Sequence, residues 1–592
     1  MTTPSPLIWR DDGLPLSSLY GDVYFSSDDG LAETQAVYLA GCGLPQAWAG
    51  RRRFTVAELG FGSGLNIAAL MMMWRDHRPS GGRLRIFSVE AHPMDAADAR
   101  RALERWPQIA PAMQALLAAW PAPTPGFHRM DLPGFDAVLD LGILPADEAL
   151  ARWDGRADAW FLDGFSPALN PAMWTPELMQ AVADRSAPGA KAATFTVAGA
   201  VRRALSDAGF SVERMPGYGR KRQRLEAVLP GAAAQAATPT VAVVGAGIAG
   251  ASLMRALAQA GAPATLFDAG GRGAGASGNP AGLVTPAFDA GEGARAKLYA
   301  QAFERAGHLL AGIDGAVIAT GAAQLEATDR DARRFDAVAS SPLFTRVKRR
   351  EGGLDILDAL VVEPAAVLAA WASDLVSASV ARLEPDGGGW RLIDEDGQDL
   401  GRFDAVVLAN GADMARLWPA APLQPVRGQA SWAPGVDLDR AVAFGGYAIP
   451  SRDGVLFGAT HDRDDSGEDL RPGDHARNLA LLAKGLPDLA ASLAGRPLEG
   501  RARRRAATPD RMPMAGAVPG MAGVFVLGGL GSRGFCTAPL LAEHVAALMV
   551  GEASPLPIDL AAAVDPARSS LWRKSAADPN SVGQGAADKD RP

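Results

Sequence analysis

Apolar residues in this chain fall into short unbroken runs, and several runs end in glycines or a single acid. "TVAVVG", beginning at Thr240, is rich in β-branched residues with no polar interruption, the pattern of a strand buried on both faces of a parallel sheet. Gly245, Gly247 and Gly250 follow it, then the helical stretch "ASLMRALAQAG" closed by Gly261, then a second apolar run, "ATLFD", ending in Asp268. The same order occurs earlier. "RRFTVAELGFGSGLNIAALMMMWRDH" predicts a strand, a turn at Gly60, Gly62 and Gly64, and an apolar helix with Met71–Met73 in its core. "RLRIFSVEAHP" predicts the next strand, with Glu90 at its tip. A third run in that half, "AWFLD", ends in Asp163.

The chain has 592 residues, too many for one ordinary core. "PGAAAQAATPT" (Pro230–Thr240) is small, uncharged and flanked by prolines, as a linker is. Each side of it opens its own nucleotide-binding pattern. Residues 1–230 and 240–574 are therefore expected to be two domains joined by 231–239. Fragments divided near Gln235 are expected to fold separately. The tail from Ser575 is polar and aperiodic, and is expected to be disordered.

Composition narrows the class. With 48% hydrophobic and 21% charged residues the chain reads as globular. The absence of a long uncharged apolar run and of a signal-like start predicts no membrane span and a cytoplasmic setting. Cys42 and Cys536 have neither a disulfide framework nor metal-ligand spacing, so no metal is expected. A net charge of −8 argues against a uniformly basic nucleic-acid binder, yet the basic residues are clumped at Arg51–Arg53, Gly219–Arg224, Lys348–Arg350 and Gly500–Arg505. Such patches can bind phosphates locally.

The second glycine turn is GxGxxG. Its missing side chains permit the tight turn, the approach of a pyrophosphate and close helix packing, and Asp268 falls where an acid can accept from a ribose. This grammar leaves NAD and FAD open. "GAGASGNPAGLVTP" (Gly273–Pro286), "VVLANGA", "LQPVRGQASW" and "VFVLGGLGSRGFCTAPLLAE" (Val524–Glu543) resemble the glycine-oxidase and D-amino-acid-oxidase flavoproteins. That resemblance implies FAD and a Rossmann domain carrying an inserted antiparallel-sheet substrate domain. It implies a turn at Gly528, Gly531 and Gly534 whose backbone N–H groups approach the flavin ring. It also implies a substrate carboxylate held by Arg533 and Arg505, whose donor forks suit it. His461 and Cys536 are expected to be a satisfied loop histidine and a buried thiol.

The first turn is GxGxG and, with Glu90 placed to hold ribose hydroxyls, resembles the class I S-adenosylmethionine methyltransferases, a Rossmann-like α/β fold. Asp163 emerges where ligands bind in such sheets. An acid there suits methylation of an amine, because a lysine-like amine (pKa about 10.4) must lose a proton before attacking the methyl group.

Taken in order, "YGDVYFSSDDGLAETQAVYLAG", "ELGFGSGLN", "AWFLDGFSPALNPAMW", "TFTVAGAVRRALSDAGF" and "GYGRKRQR" resemble a bacterial family of bifunctional enzymes that complete 5-methylaminomethyl-2-thiouridine in tRNA. The resemblance implies a tRNA anticodon region as partner, with a splayed wobble base and phosphates met by segments such as Arg220–Arg224. It implies oxidative removal of a carboxymethyl group followed by N-methylation. Gly142 is followed by Ile143 where that family has a glycine–aspartate pair contacting adenine, so Asp140 or Asp147 is a candidate replacement. Two other readings fit the fold motifs: a fused free-amino-acid oxidase with a small-molecule methyltransferase, and a non-catalytic tRNA-binding protein.

Overall fold

The structure is a computed structural model describing residues 7–219, 221–232, 237–463 and 465–572. The expected disordered tail, the division point at Gln235 and Arg220 lie outside the described residues.

The first half is built on an eight-stranded sheet. Its spatial order is Gly126–Leu132, Ala137–Ile143, Arg83–Val89, Arg53–Leu59, Ala157–Leu162, Ser186–Thr194, Gln223–Val228, Ser211–Pro216. The five strands from Ala137–Ile143 to Ser186–Thr194 run parallel, and antiparallel pairs close both edges. Alternate side chains feed two cores, one on each face. Val56, Ile86 and Phe161 enter one; Leu59, Phe87 and Trp160 enter the other. Helix Leu65–His77 covers the first face, burying Met71 with Met72 and Met73 packed behind it. Sheet order reverses between Arg53–Leu59 and Ala157–Leu162, a switch point that opens a crevice at their carboxyl ends.

The second half repeats this logic in a six-stranded sheet. Its order is Leu375–Val376, Ala264–Phe267, Val241–Val244, Ala405–Leu408, Val524–Gly528, Met514–Ala517, parallel except for the last pair. A ten-stranded sheet is inserted into it. It is antiparallel apart from one parallel pairing, Val317–Leu325 with Ala441–Ala443. No helix among the described residues is long and apolar enough to cross a membrane.

The two halves meet on a seam of charged and polar contacts. Asp131 of the first half reaches Arg305 at 2.8 Å and Arg255 at 3.2 Å in the second. Glu543, on buried helix Gly534–Val550, takes the other side of both guanidinium groups. Arg53 and Arg85 converge on Glu552 at 2.9 and 2.6 Å, and His128 meets Glu304 at 2.9 Å. Burial pushes the Asp131 carboxyl up, but Arg305 and Arg255 hold it well below the usual carboxylate range. Some charges at the seam also keep a partner within their own half: Arg129 with Asp140, and Arg255 and Arg305 with Glu543. The charge that Arg255 and Arg305 lack within their own half is supplied across the seam by Asp131.

A depressed carboxylate stabilises the docked state above its ordinary pKa of about 3.9 and loses that contribution as pH falls toward its folded value. Calorimetry of the full chain should therefore show the halves melting together at pH 7 and separating progressively as pH falls below about 4 toward that folded value. Asp131→Asn should separate the transitions at pH 7, weakening docking by on the order of 2 kcal/mol. An unchanged single transition in the variant would show that the seam charges do not couple the halves.

Candidate active sites

In the first half the crevice forms because two backbones touch. Gly60 has φ +95°, and a Cβ on it would lie 1.7 Å from the Asp163 carbonyl oxygen. Gly62 and Gly64 are also left-handed, at +53° and +81°. Glu90 bends back onto this turn, accepting from the backbone N–H of Gly62 at 3.0 Å and of His92 at 2.9 Å. Burial pushes its carboxyl up against those bonds. The Ala91 N–H bonds it too, and the remaining acceptor capacity of its oxygens is left for ribose hydroxyls. Nδ1 of His92, two residues on, is buried without a partner. These features fit an adenosyl donor.

Asp163 sits one residue past strand Ala157–Leu162, inside a side-chain network. The Asn66 amide donates to Asp163 Oδ2 at 2.7 Å and to Glu58 Oε1 at 3.0 Å. Thr34 Oγ1 donates to Asn66 Oδ1 at 2.7 Å, and Ser88 Oγ to Glu58 Oε2 at 2.6 Å. The Tyr38 hydroxyl bonds Asp163 as well. Burial pushes the Glu58 carboxyl up to about 8, while Asp163, also buried and likewise holding two side-chain donors, rises to about 6. At neutral pH Asp163 is thus the charged member of the pair. None of Glu58, Asn66, Thr34 and Tyr38 stands in a position that motif or periodicity marks as functional. The one visible signal was Glu58, a lone acid between Ala57 and Leu59 in a buried strand.

Around this pocket, Phe165 lies 5.0 Å from the Tyr20 ring and 5.1 Å from the Tyr24 ring. Lys221 stands at the rim, 2.8 Å from Glu33 and 4.1 Å from the Phe195 ring. Asp140 is engaged by Arg129, its register neighbour on the adjoining edge strand, bidentately at 2.7 Å. Asp147 is exposed in the first turn of helix Ala146–Arg152.

In the second half, a Cβ on Gly250 would lie 1.8 Å from the Gly245 carbonyl oxygen, and one on Gly245 2.6 Å from that of Ala409. Gly247 faces Ser277, whose hydroxyl accepts from the Ile248 N–H that opens helix Ile248–Gln259. Asp268 accepts from the backbone of Ala246, Gly270 and Gly271 at 2.8, 2.8 and 3.0 Å, so it ties the two turns together. Gly534 lies against Ile248, which brings two helix N-termini side by side. Gly531 is left-handed with open space beside it. The missing side chain of Gly528 makes room for Met414, 2.7 Å from where a Cβ would stand.

Arg533 caps helix Gly534–Val550 and donates to the Thr285 carbonyl at 3.1 Å and to its hydroxyl; burial pulls its pKa down. Arg505 lies over Gly428 of the neighbouring strand, with its nearest acceptor the Thr460 carbonyl at 3.5 Å. Burial and that guanidinium lower the pKa of exposed His461. Cys536 is buried and pushed up to about 12 by burial. From the same strand Arg501 grips loop Gly273–Gly275 through three carbonyl oxygens at 2.8 Å, yet its Nη1 is buried without a partner, as is Asn410 Oδ1 at the glycine turn. Orphan polar atoms beside a phosphate-type turn fit a large polar cofactor such as FAD.

Several basic clusters turn out to be internal ties. Arg51 pairs with Asp158, Arg53 with Glu552, Arg349 with Glu326 and Asp336, and Arg504 with Glu468. Lys221 and Arg222 remain exposed beside the Asp163 pocket. A cavity of about 440 Å³ lies at the seam, lined by Phe303, His308 and Phe344 among others, and shares no residue with either site. Among the described residues no group of three or more His, Cys, Asp or Glu side chains could hold a metal ion.

Residues 107–230 match the S-adenosyl-L-methionine-dependent methyltransferase family, and residues 240–548 match the FAD dependent oxidoreductase family. The tRNA 5-methylaminomethyl-2-thiouridine biosynthesis bifunctional protein MnmC of Caulobacter sp. (strain K31) is 59% identical over 96% of this chain and 98% of its own length. The protein of the same name from Caulobacter vibrioides (strain ATCC 19089 / CIP 103742 / CB 15) is 58% identical over 94% and 96%. That from Maricaulis maris (strain MCS10) is 41% identical over 99% and 98%.

A methyl group at Gly60 or Gly250 has nowhere to go. Gly60→Ala should abolish donor binding in titration calorimetry while the flavin spectrum survives. Gly250→Ala should do the reverse. Cofactor binding at wild-type affinity by either variant would contradict the backbone contacts.

Proposed function

The chain belongs to the family of bifunctional tRNA 5-methylaminomethyl-2-thiouridine biosynthesis proteins, and from that premise we propose how its residues divide the work. The C-terminal half oxidises the carboxymethylaminomethyl group of the wobble uridine by two electrons to an imine, which water hydrolyses to glyoxylate and a primary aminomethyl group. The N-terminal half methylates that amine. When bound, FAD supplies the two-electron acceptor and S-adenosylmethionine the methyl group.

The observation carrying this division is that each half has its own switch-point sheet and glycine turn, with one buried reactive side chain beside it. In the methyl-transfer half Asp163 is the ionised member of a buried acid pair. It orients the substrate amine through a charge-assisted hydrogen bond and takes its proton, leaving the lone pair free to attack. Tyr20, Tyr24 and Phe165 offer aromatic faces for a base drawn out of its stack, and Lys221 and Arg222 offer charge for flanking phosphates. In the oxidative half Arg533 and Arg505 hold the substrate carboxylate, which fixes the methylene to be oxidised. Glu90 and Asp268 hold the two ribose groups. The setting is cytoplasmic, where tRNA is modified.

Asp163→Ala should leave flavin reduction by the modified tRNA intact and let aminomethyluridine accumulate, read by nucleoside analysis. In the wild type, methylation should fall as pH drops through about 6, because protonated Asp163 no longer accepts the amine proton. Normal methylation by Asp163→Ala would reduce Asp163 to a turn residue. Arg533→Met should bind FAD yet lose carboxymethyl removal, by about 2–5 kcal/mol in kcat/KM, while still methylating pre-formed aminomethyl-tRNA. Unchanged oxidation kinetics would remove Arg533 from the site.

A further inference from the structure

Two side chains of the segment before the first glycine turn reach the Asp163 network from far away in sequence. Helix Gly30–Thr34 runs without a break into a wider π-helical turn, Gln35–Leu39, closed by Ala40 N–H donating to the Gln35 carbonyl. Such a turn holds one residue more than an α-turn and so rotates the later residues about the helix axis; π-turns recur at functional sites. Here it accompanies Thr34 bonded to the Asn66 amide and Tyr38 bonded to Asp163, both residues almost fully buried.

The Asn66 amide lies between two carboxylates and gives one hydrogen to each. Turned over, it would aim its oxygen at both acids. The Thr34 hydroxyl, donating to Asn66 Oδ1 at 2.7 Å, opposes that rotation. Tyr38 packs its ring on Phe161 at 5.7 Å between centroids. A purely structural aromatic needs no hydroxyl, and a buried one needs a partner; here the partner is the reactive acid.

We infer that Tyr38, Asn66 and Thr34 are positioning residues for methyl transfer, holding the Asp163 carboxylate ionised and aimed while leaving its remaining lone pairs to the substrate amine. This rests on the reading of Asp163 as the acid that accepts the amine. The charged and titratable groups facing Asp163 are Glu58 behind the amide and Glu33 and Lys221 at the rim, with Tyr38 beside it. Glu33 raises its pKa and Lys221 lowers it. Hydrogen bonds to a carboxylate favour its charged form, so removing a donor raises its pKa.

The test is the pH profile of methylation of aminomethyl-tRNA by full-length Tyr38→Phe, Asn66→Ser and Thr34→Val. Tyr38→Phe and Asn66→Ser should lower kcat at pH 7 roughly tenfold, the size of one lost charged hydrogen bond. KM for tRNA should stay within about twofold, as for an interaction made in the transition state. The acid limb should move up in pH, so part of the rate returns at alkaline pH. Thr34→Val should show the same shift, smaller. Flavin-dependent glyoxylate release by the same molecules reports that they are folded. If Asn66→Ser does not fold, Tyr38→Phe, which removes a single oxygen atom, decides. Wild-type kcat and an unmoved acid limb in Tyr38→Phe, with Asp163→Ala inactive, would overturn the positioning role and leave the Asp163 reading intact. An active Asp163→Ala would overturn both.

Discussion

The methyl-transfer half depends on a contact between two backbones. The turn at Gly60 presses against the Asp163 carbonyl so closely that no side chain fits between them. That contact joins the two strand ends at the switch point, places Asp163 beside the turn, and brings Glu90 back onto Gly62. The second half obeys the same constraint at Gly245 and Gly250. Two unrelated chemistries thus rest on one geometric rule: a parallel sheet offers a ligand site where its order reverses, provided glycine lets the loop approach.

Burying carboxylates in these crevices carries an electrostatic cost, and the two halves manage it differently. In the methyl-transfer half Glu58 and Asp163 share one amide, and the deeper acid stays protonated near neutral pH while the outer one is charged. In the oxidative half the groups proposed to meet substrate, Arg533 and Arg505, are guanidiniums, which cannot shed their proton and instead lean on neutral oxygens of Thr285 and Thr460. Such cations, paired with dipoles rather than anions, are left able to meet a substrate carboxylate.

The seam distributes its charge in a similar way. Asp131, Glu552 and the His128–Glu304 pair link the halves, while Glu543 shares Arg255 and Arg305 with Asp131. The seam also occupies arginines that looked like phosphate binders. Arg53 is tied to Glu552, whereas Lys221, paired with Glu33 at the pocket rim, and its neighbour Arg222 stay exposed.

The two strand–glycine–helix units, their terminal acids and the apolar helix at Met71–Met73 were legible in the sequence, because each is set by local periodicity and by residues that only a tight turn requires. Even the sheet classes were legible, since unbroken apolar runs are buried on both faces. What only the tertiary structure decided is who surrounds Asp163. Thr34, Tyr38, Glu58, Asn66 and Ser88 come from separate elements, and their meeting depends on register and helix rotation, including a π-turn that periodicity does not encode. The fates of Asp140 and Gly528 were hidden for the same reason. An acid at a strand position does not announce that Arg129 stands opposite, nor a glycine that Met414 fills the space beside it. Local chemistry constrains the backbone; long-range packing alone determines which side chains share a dielectric, and so which of them are charged.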